Sequence, residues 1–310
     1  MDLVRNKNKK KPLLIVIAGP TAIGKTSISV QLAQHYQTEI LSADSRQCYK
    51  EMRIGTARPN REEQKGIPHH FIASHSIHDS LTAIDYEEYS LRALKSIFQK
   101  KPIAILCGGT GLYIKALIEG FDEMPDIDKD IEKEILQKYK DNGLEWLQKE
   151  IQIQDPLFPK DQALENPHRM LRALVFKNST GKSIQEFRKG NKKERPFDTL
   201  FFAINTDREV LYDRINKRVD LMVKEGLIDE AKSLYPYRHL KNLDTVGYRE
   251  LFLAFDGEIT IQEAIEKIKQ NTRKYAKRQI TWLKREENVQ WFSPEDLNKI
   301  INKVDEVLLR

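Results

Sequence analysis

Hydrophobic positions fall into two textures along this chain, and the first is a run of short apolar segments alternating with stretches of helical spacing. Leu13 to Ala18 has no polar interruption, the pattern of a strand buried on both faces. It ends at a glycine turn, after which a helix is expected from about Lys25 to His35. Glu39 to Ser42 reads as a second strand. Asp85 to Lys100 carries Tyr86, Tyr89, Leu91, Leu94 and Ile97 at helical spacing. Pro102 breaks that pattern, and I-A-I-L-C forms a third strand. G-G-T-G then turns the chain into a helix over Leu112 to Leu117. Strands alternating with helices predict an α/β fold, a parallel sheet covered on both faces.

The second texture begins near Phe121. D-E-M-P-D-I-D-K-D-I-E-K-E-I is charged and helical, and helical patterns continue to about Phe187, broken at D-P-L-F-P and E-N-P. Thr199 to Asn205 is again a strand, with Phe201, Phe202 and Ile204 as its core positions. Thr206 and Glu209 have the spacing of a capping box for the next helix. The tail after Asp256 is helical, and V-Q-W-F near Val289 forms a last short strand. An all-helical insertion, residues 121–198, inside an α/β core of residues 1–120 and 199–310 accounts for this order. Trp146 and Trp291 are expected as core anchors.

With 310 residues, 40% of them hydrophobic, the chain can build one large or two modest cores. Its 32% charged residues exclude neither, and global disorder is not expected. Cys48 and Cys107 are too few for a disulfide framework or a zinc site, and suit a reduced, cytoplasmic setting. The lysine-rich start reads as a solvated terminus. The apolar run after it is too short to span a membrane and leads into a glycine loop, so neither a signal peptide nor a membrane partner is expected. Net charge is +6, and Arg273 to Arg285 contains six basic residues and no acidic one. Such a stretch, with Tyr275 and Trp282 interleaved, suits a polyanion or simply a solvated helix face.

The chemistry concentrates where the first strand ends. Gly19, Pro20, Thr21, Ala22, Ile23, Gly24, Lys25 and Thr26 fit the P-loop pattern, between a strand and a helix as that motif requires. Backbone N–H groups there converge on phosphate oxygens, Lys25 reaches a terminal phosphate, and the Thr26 hydroxyl can ligate Mg²⁺. Hydrolytic P-loop enzymes also place an aspartate at the end of a buried strand. Here I-A-I-L-C runs into Gly108, Gly109 and Thr110 instead, which disfavours a motor ATPase and leaves kinases and other diphosphate chemistries open. Asp44, just past the second strand, falls at the sheet edge where ligands bind; it serves either as a base or metal ligand, or as a turn cap. His69, His70, His75 and His78 lack metal-ligand spacing and are expected to be structural.

These blocks together resemble the tRNA dimethylallyltransferase (tRNA isopentenyltransferase) family. The likeness runs from G-P-T-A-I-G-K-T through L-S-A-D-S-R-Q, G-I-P-H-H, G-G-T-G-L-Y-I-K-A-L, N-P-H-R-M-L-R-A-L and V-G-Y-R-E-L to K-R-Q-I-T-W-L-K-R. It implies a P-loop NTPase-like core and transfer of a dimethylallyl group from dimethylallyl diphosphate to the exocyclic amine of an adenosine beside a tRNA anticodon, with Mg²⁺. It implies Asp44 as general base, with Thr21 and Arg218 also catalytic, Arg218 steadying the leaving diphosphate. Ser45, Arg46 and Gln47, with Asp44 itself, match a tRNA-contacting segment. So do Thr110 and the run His168, Arg169, Met170, Leu171 and Arg172. Arg273, Lys277 and Arg278 are expected to grip the anticodon stem-loop from outside. The chain departs from the family at Glu132, where many relatives carry a basic residue. It ends at Arg310 without a cysteine/histidine zinc module, so the compact bacterial form, acting as a monomer, is expected. The rival readings are a P-loop small-molecule kinase, an adenylate isopentenyltransferase and a non-catalytic tRNA-binding protein.

Overall fold

A computed structural model of the chain describes residues 10–309. Most of the lysine-rich start lies outside them. The chain divides into two compact units, one of residues up to Ile118 and from Glu194 onward, the other Glu119–Lys193.

The first unit is built on a sheet. Its elements in chain order are β1 (Leu13–Ala18), α1 (Lys25–His35), β2 (Ile40–Ala43), α2 (Arg61–Gln64), β3 (His69–His70), α3 (Ala83–Phe98), β4 (Ile103–Gly108) and α4 (Gly111–Glu119). The six strands, with β5 (Asp198–Ile204) and β6 (Gln290–Phe292), pair in the order β3-β2-β4-β1-β5-β6, and every pairing is parallel. Side-chain alternation divides the core in two. Leu14, Val16 and Ala18 pack on one face and Leu13, Ile15 and Ile17 on the other, which is why β1 shows no polar position. After α5 (Lys129–Gln154) and α6 (Pro167–Thr180) of the second unit, the first unit continues through α7 (Arg208–Lys224), α8 (Leu227–Leu234), α9 (Tyr248–Phe255), α10 (Ile261–Leu283) and α11 (Leu297–Leu308).

Two local expectations fail. The box expected from Thr206 and Glu209 does not form: Asp207 is the N-cap of α7, so Glu209 falls at the second helical position and cannot reach back. Trp291 is 40% exposed. It lies on the edge strand β6, opposite Ala203, and anchors no core.

The chain's return into the first unit is fixed by a buried ion pair. The Arg195 guanidinium donates to Glu87 at 2.7 Å and to the carbonyl of Ala116 at 2.7 Å, with the two charged side chains only 9% and 8% exposed. Removing one partner strands the other charge out of water. We expect Glu87→Ala to cost about 3–5 kcal/mol in urea denaturation. By contrast, Glu194→Ala, which removes the exposed pair with Lys11, should change stability by less than ~1 kcal/mol.

The second unit is helical. Asp128 caps α5 by accepting from Asp130 and Ile131, and Gly143 interrupts that helix with φ 74°. Asn166 caps α6 by accepting from the Arg169 N–H, with Pro167 at the first helical position. Ile135, Leu147, Ile151, Met170 and Leu174 form its core. Glu132 lies in the first turn of α5, where an acidic side chain favours the positive helix end.

Candidate active site

Strand register levels the functional loops. Ala18, at the end of β1, pairs with Gly108 of β4, which also pairs with Ala43 of β2. The P-loop, Asp44 and Thr110 therefore emerge side by side from the carboxyl edge of the sheet, where a parallel α/β fold binds its ligands. Gly24 opens α1 in the left-handed region at φ 100°, and Ala22 also takes a positive φ of 64°. An alanine in that region signals a backbone shaped by its task rather than by propensity.

Lys25 donates to the carbonyl of Pro20 at 2.7 Å. Burial pulls its ammonium down to about 8; Cys107 and Asp44 oppose that shift and Arg218 adds to it. Arg218 reaches over from α7, donating to the carbonyl of Ala57 at 3.2 Å. Burial lowers its pKa, while the carboxylates of Asp44 and Glu63 hold it up. Three charges of the expected chemistry thus converge although 193 residues separate the lysine from the arginine.

Asp44 caps the turn that follows β2. Its Oδ1 accepts from the N–H of Arg46 at 2.8 Å and of Gln47 at 3.2 Å. Its other oxygen has no hydrogen-bond partner among the described residues, so the carboxylate is oriented by one oxygen and open at the other. Thr110 accepts from the Ser45 N–H at 3.1 Å, joining the turn after β4 to the Asp44 loop. Arg46 donates to the carbonyl of Asn242, and Gln47 to those of Thr56 and Ala57. These two side chains, expected as RNA contacts, hold neighbouring loops.

The other expected contacts divide. In α6, His168, Arg169 and Arg172 are at least partly exposed, whereas Met170 and Leu171 are buried in the helical core. Arg188 is close enough that Arg172 and Arg169 help to lower its pKa, after burial. On α10, Lys277 and Arg278 are exposed, as is Lys274, and just past its end so are Lys284 and Arg285. Arg273 instead turns to α7, donating to Asn216 at 2.6 Å with its guanidinium 5.9 Å from the Tyr212 ring. Helical spacing places a residue on a side but does not say what the neighbouring helix offers it. Among the four histidines, His70 pairs with Glu39 at 2.6 Å, His69 meets the carbonyl of Ile67, His75 meets Ser74, and His78 packs edge-on to Tyr237.

Sequence reasoning missed Gln279. Its amide accepts from the Thr21 N–H at 2.9 Å and donates to the Gly109 carbonyl at 3.0 Å. The only signal was its place in R-Q-I-T-W-L, an uncharged polar residue within a basic run.

Among the described residues no three His, Cys, Asp or Glu side chains gather to hold a metal. That suits Mg²⁺ at a phosphate site, since this ion keeps several waters and takes its remaining ligands from a carboxylate or hydroxyl and the substrate phosphates. The Thr26 hydroxyl, in the first turn of α1, is a fitting donor of that kind. No helix among the described residues is long and apolar enough to cross a membrane.

A parallel sheet with a P-loop at its first strand defines a P-loop NTPase-like protein. The finer relationship comes from comparison with known proteins. The chain belongs to the IPP transferase family, whose model matches residues 47–286. It is 47% identical over 288 residues to a tRNA dimethylallyltransferase of Christiangramia forsetii, covering 93% of this chain and 95% of that protein. It is 45% identical over 290 residues to tRNA dimethylallyltransferase 1 of Bacteroides thetaiotaomicron, covering 94% of each. Its structure is similar to the tRNA isopentenylpyrophosphate transferase of Bacillus halodurans, with a TM-score of 0.70, 36% identity and 97% and 96% of the two chains covered. It is also similar to a eukaryotic dimethylallyltransferase acting on tRNA, with a TM-score of 0.75, 28% identity and 93% and 75% covered.

Proposed function

We propose that this protein transfers the dimethylallyl group of dimethylallyl diphosphate to the exocyclic N6 amine of the adenosine at position 37 of tRNA, releasing diphosphate. The observation that carries this reading is the strand register that brings the P-loop with Lys25, the Asp44 loop and Thr110 to one sheet edge, with no hydrolytic aspartate after β4. The adenine amine is a weak nucleophile because its lone pair is delocalised into the ring. The allylic carbon compensates by spreading positive charge over its double bond. As the N–C bond forms and the C–O bond breaks, charge builds on the diphosphate. Lys25, Arg218 and the loop N–H groups between Ala22 and Thr26 meet it, with Thr21 lining the loop. Mg²⁺, which the Thr26 hydroxyl would hold, would supply further neutralisation of that charge. The open oxygen of Asp44 takes the amine proton. Thr110, Ser45 and the exposed Lys277 and Arg278 face the RNA, as do His168, Arg169 and Arg172 of the helical unit. This reading places the enzyme with its tRNA in the cytoplasm, working as a monomer.

Nuclease digestion and mass spectrometry of an anticodon stem-loop treated with donor should find one added five-carbon group, on adenosine 37. Modification at another base would refute the site assignment. Binding of the stem-loop should weaken steeply with salt, with a log–log slope of several units; a flat response would return the α10 cations to plain solvation.

The depressed Lys25 ammonium gives a pH signature. Because its folded pKa of about 8 lies below the ordinary lysine value of 10.5, the unfolded chain binds more protons between them. Stability from this group therefore rises with pH across that window, and the burial cost is carried in full below it. A bound diphosphate favours the charged form. Above pH ~8 donor binding should therefore take up a proton, seen as a buffer-dependent binding enthalpy that Lys25→Met abolishes.

A further inference from the structure

We infer that Gln279 is a positioning residue that sets the diphosphate loop against the turn after β4, an inference that rests on the loop being the donor site. The side chain is 7% exposed, and its two partners fix its orientation: Thr21 offers an N–H and Gly109 a carbonyl, so the amide cannot be reversed. An amide is the group that both accepts and donates at this reach; a carboxylate only accepts, and an apolar side chain does neither.

The surroundings are shaped around that amide. A Cβ on Gly109 would lie 2.2 Å from the Gln279 Nε2 and 2.9 Å from the Gly19 carbonyl oxygen, so only glycine admits the bridge. Three residues of α10 at spacings of four and three, Tyr275, Gln279 and Trp282, meet the same turn. Tyr275 is near enough to Thr110 for the threonine to offset part of the rise that burial gives its hydroxyl pKa, and Trp282 lies against Gly111, where a Cβ would come within 2.3 Å. The P-loop has three residues at positive φ, Gly19, Ala22 and Gly24, and no strand partner of its own. The amide supplies an external fixed point. It also occupies the Thr21 N–H, which leaves phosphate recognition to the N–H groups nearer α1. The opposite side of α10 carries the exposed Lys274 and Lys277, so on the proposed reading the helix that orders the donor loop also offers cations to the RNA.

The test uses the full chain, inorganic pyrophosphate and hydrogen exchange. Gln279→Met should weaken pyrophosphate binding about tenfold and raise the donor KM by a similar factor, with the affinity for the anticodon stem-loop unchanged. Exchange at the Thr21 amide should accelerate. Gln279→Glu restores the acceptor but not the donor, so it should return Thr21 to wild-type protection while pyrophosphate binding stays weak. This second variant keeps the test decisive if the methionine variant folds poorly. Wild-type pyrophosphate affinity and Thr21 protection in Gln279→Met would overturn the inference. An equal loss of donor and RNA affinity would also overturn it, by showing general damage. A wild-type protein that binds no pyrophosphate would remove the diphosphate-site reading, and this inference with it.

Discussion

Lys25→Ala should lower kcat/KM for prenyl transfer by about 10²–10³-fold, with the anticodon stem-loop bound as tightly as by the wild type. The loss follows from where charge appears. In the transition state the C–O bond is largely broken and the diphosphate carries charge it did not have as an ester. A donor fixed beside it, in surroundings already poor in water, stabilises that charge without reorganising. Removing one such group typically costs about 3–4 kcal/mol. Burial already makes this ammonium less stable than a free lysine, with a pKa of about 8, so it gains when an anion arrives. Arg218 and the loop N–H groups remain in the variant, which is why activity should fall rather than vanish. A kcat/KM within about threefold of wild type would show that the lysine only shapes the loop through its contact with Pro20.

Asp44 should give the second large effect, and two substitutions separate its two roles. One oxygen holds the turn through the Arg46 and Gln47 N–H groups, and the other is open to accept a proton. Asp44→Asn keeps an oxygen for the turn but cannot act as base. We expect a fall in kcat of about 10²–10⁴-fold, with thermal stability and RNA affinity near wild type. Asp44→Ala should lose activity to a similar degree and stability as well, because two N–H groups lose their acceptor. If Asp44→Asn retained most of the activity, the base would have to be sought elsewhere at the same edge.

Much of this site was legible because its signals are local. The P-loop is one continuous segment whose spacing, strand and helix all lie within residues 13–35, and the family blocks follow in order. Asp44 could be placed at the sheet edge since it follows a strand directly, though its part as a turn cap showed only in its hydrogen bonds to Arg46 and Gln47. What escaped was the pairing of distant segments. Gln279 lies 258 residues from the N–H it fixes, and nothing near it announces that bond. Arg273 shares its helix with Lys277 and Arg278, yet Asn216 and Tyr212 on the neighbouring helix take it out of the exposed set. Met170 and Leu171 came with a family block, although their apolar character already argued for the core they occupy. Trp291 misled in the other direction, since a large aromatic on a three-residue edge strand has no second layer to bury it.

On this account the P-loop cradles a leaving diphosphate and not a nucleotide that gives up a phosphoryl group. The purified protein with radiolabelled dimethylallyl diphosphate and unmodified tRNA should place label on the RNA and release one pyrophosphate for each group transferred. AMP in place of tRNA should remain unlabelled. With γ-labelled ATP as sole donor, no phosphate should appear on RNA or nucleoside. Label on AMP alone, or phosphoryl transfer from ATP, would contradict the account.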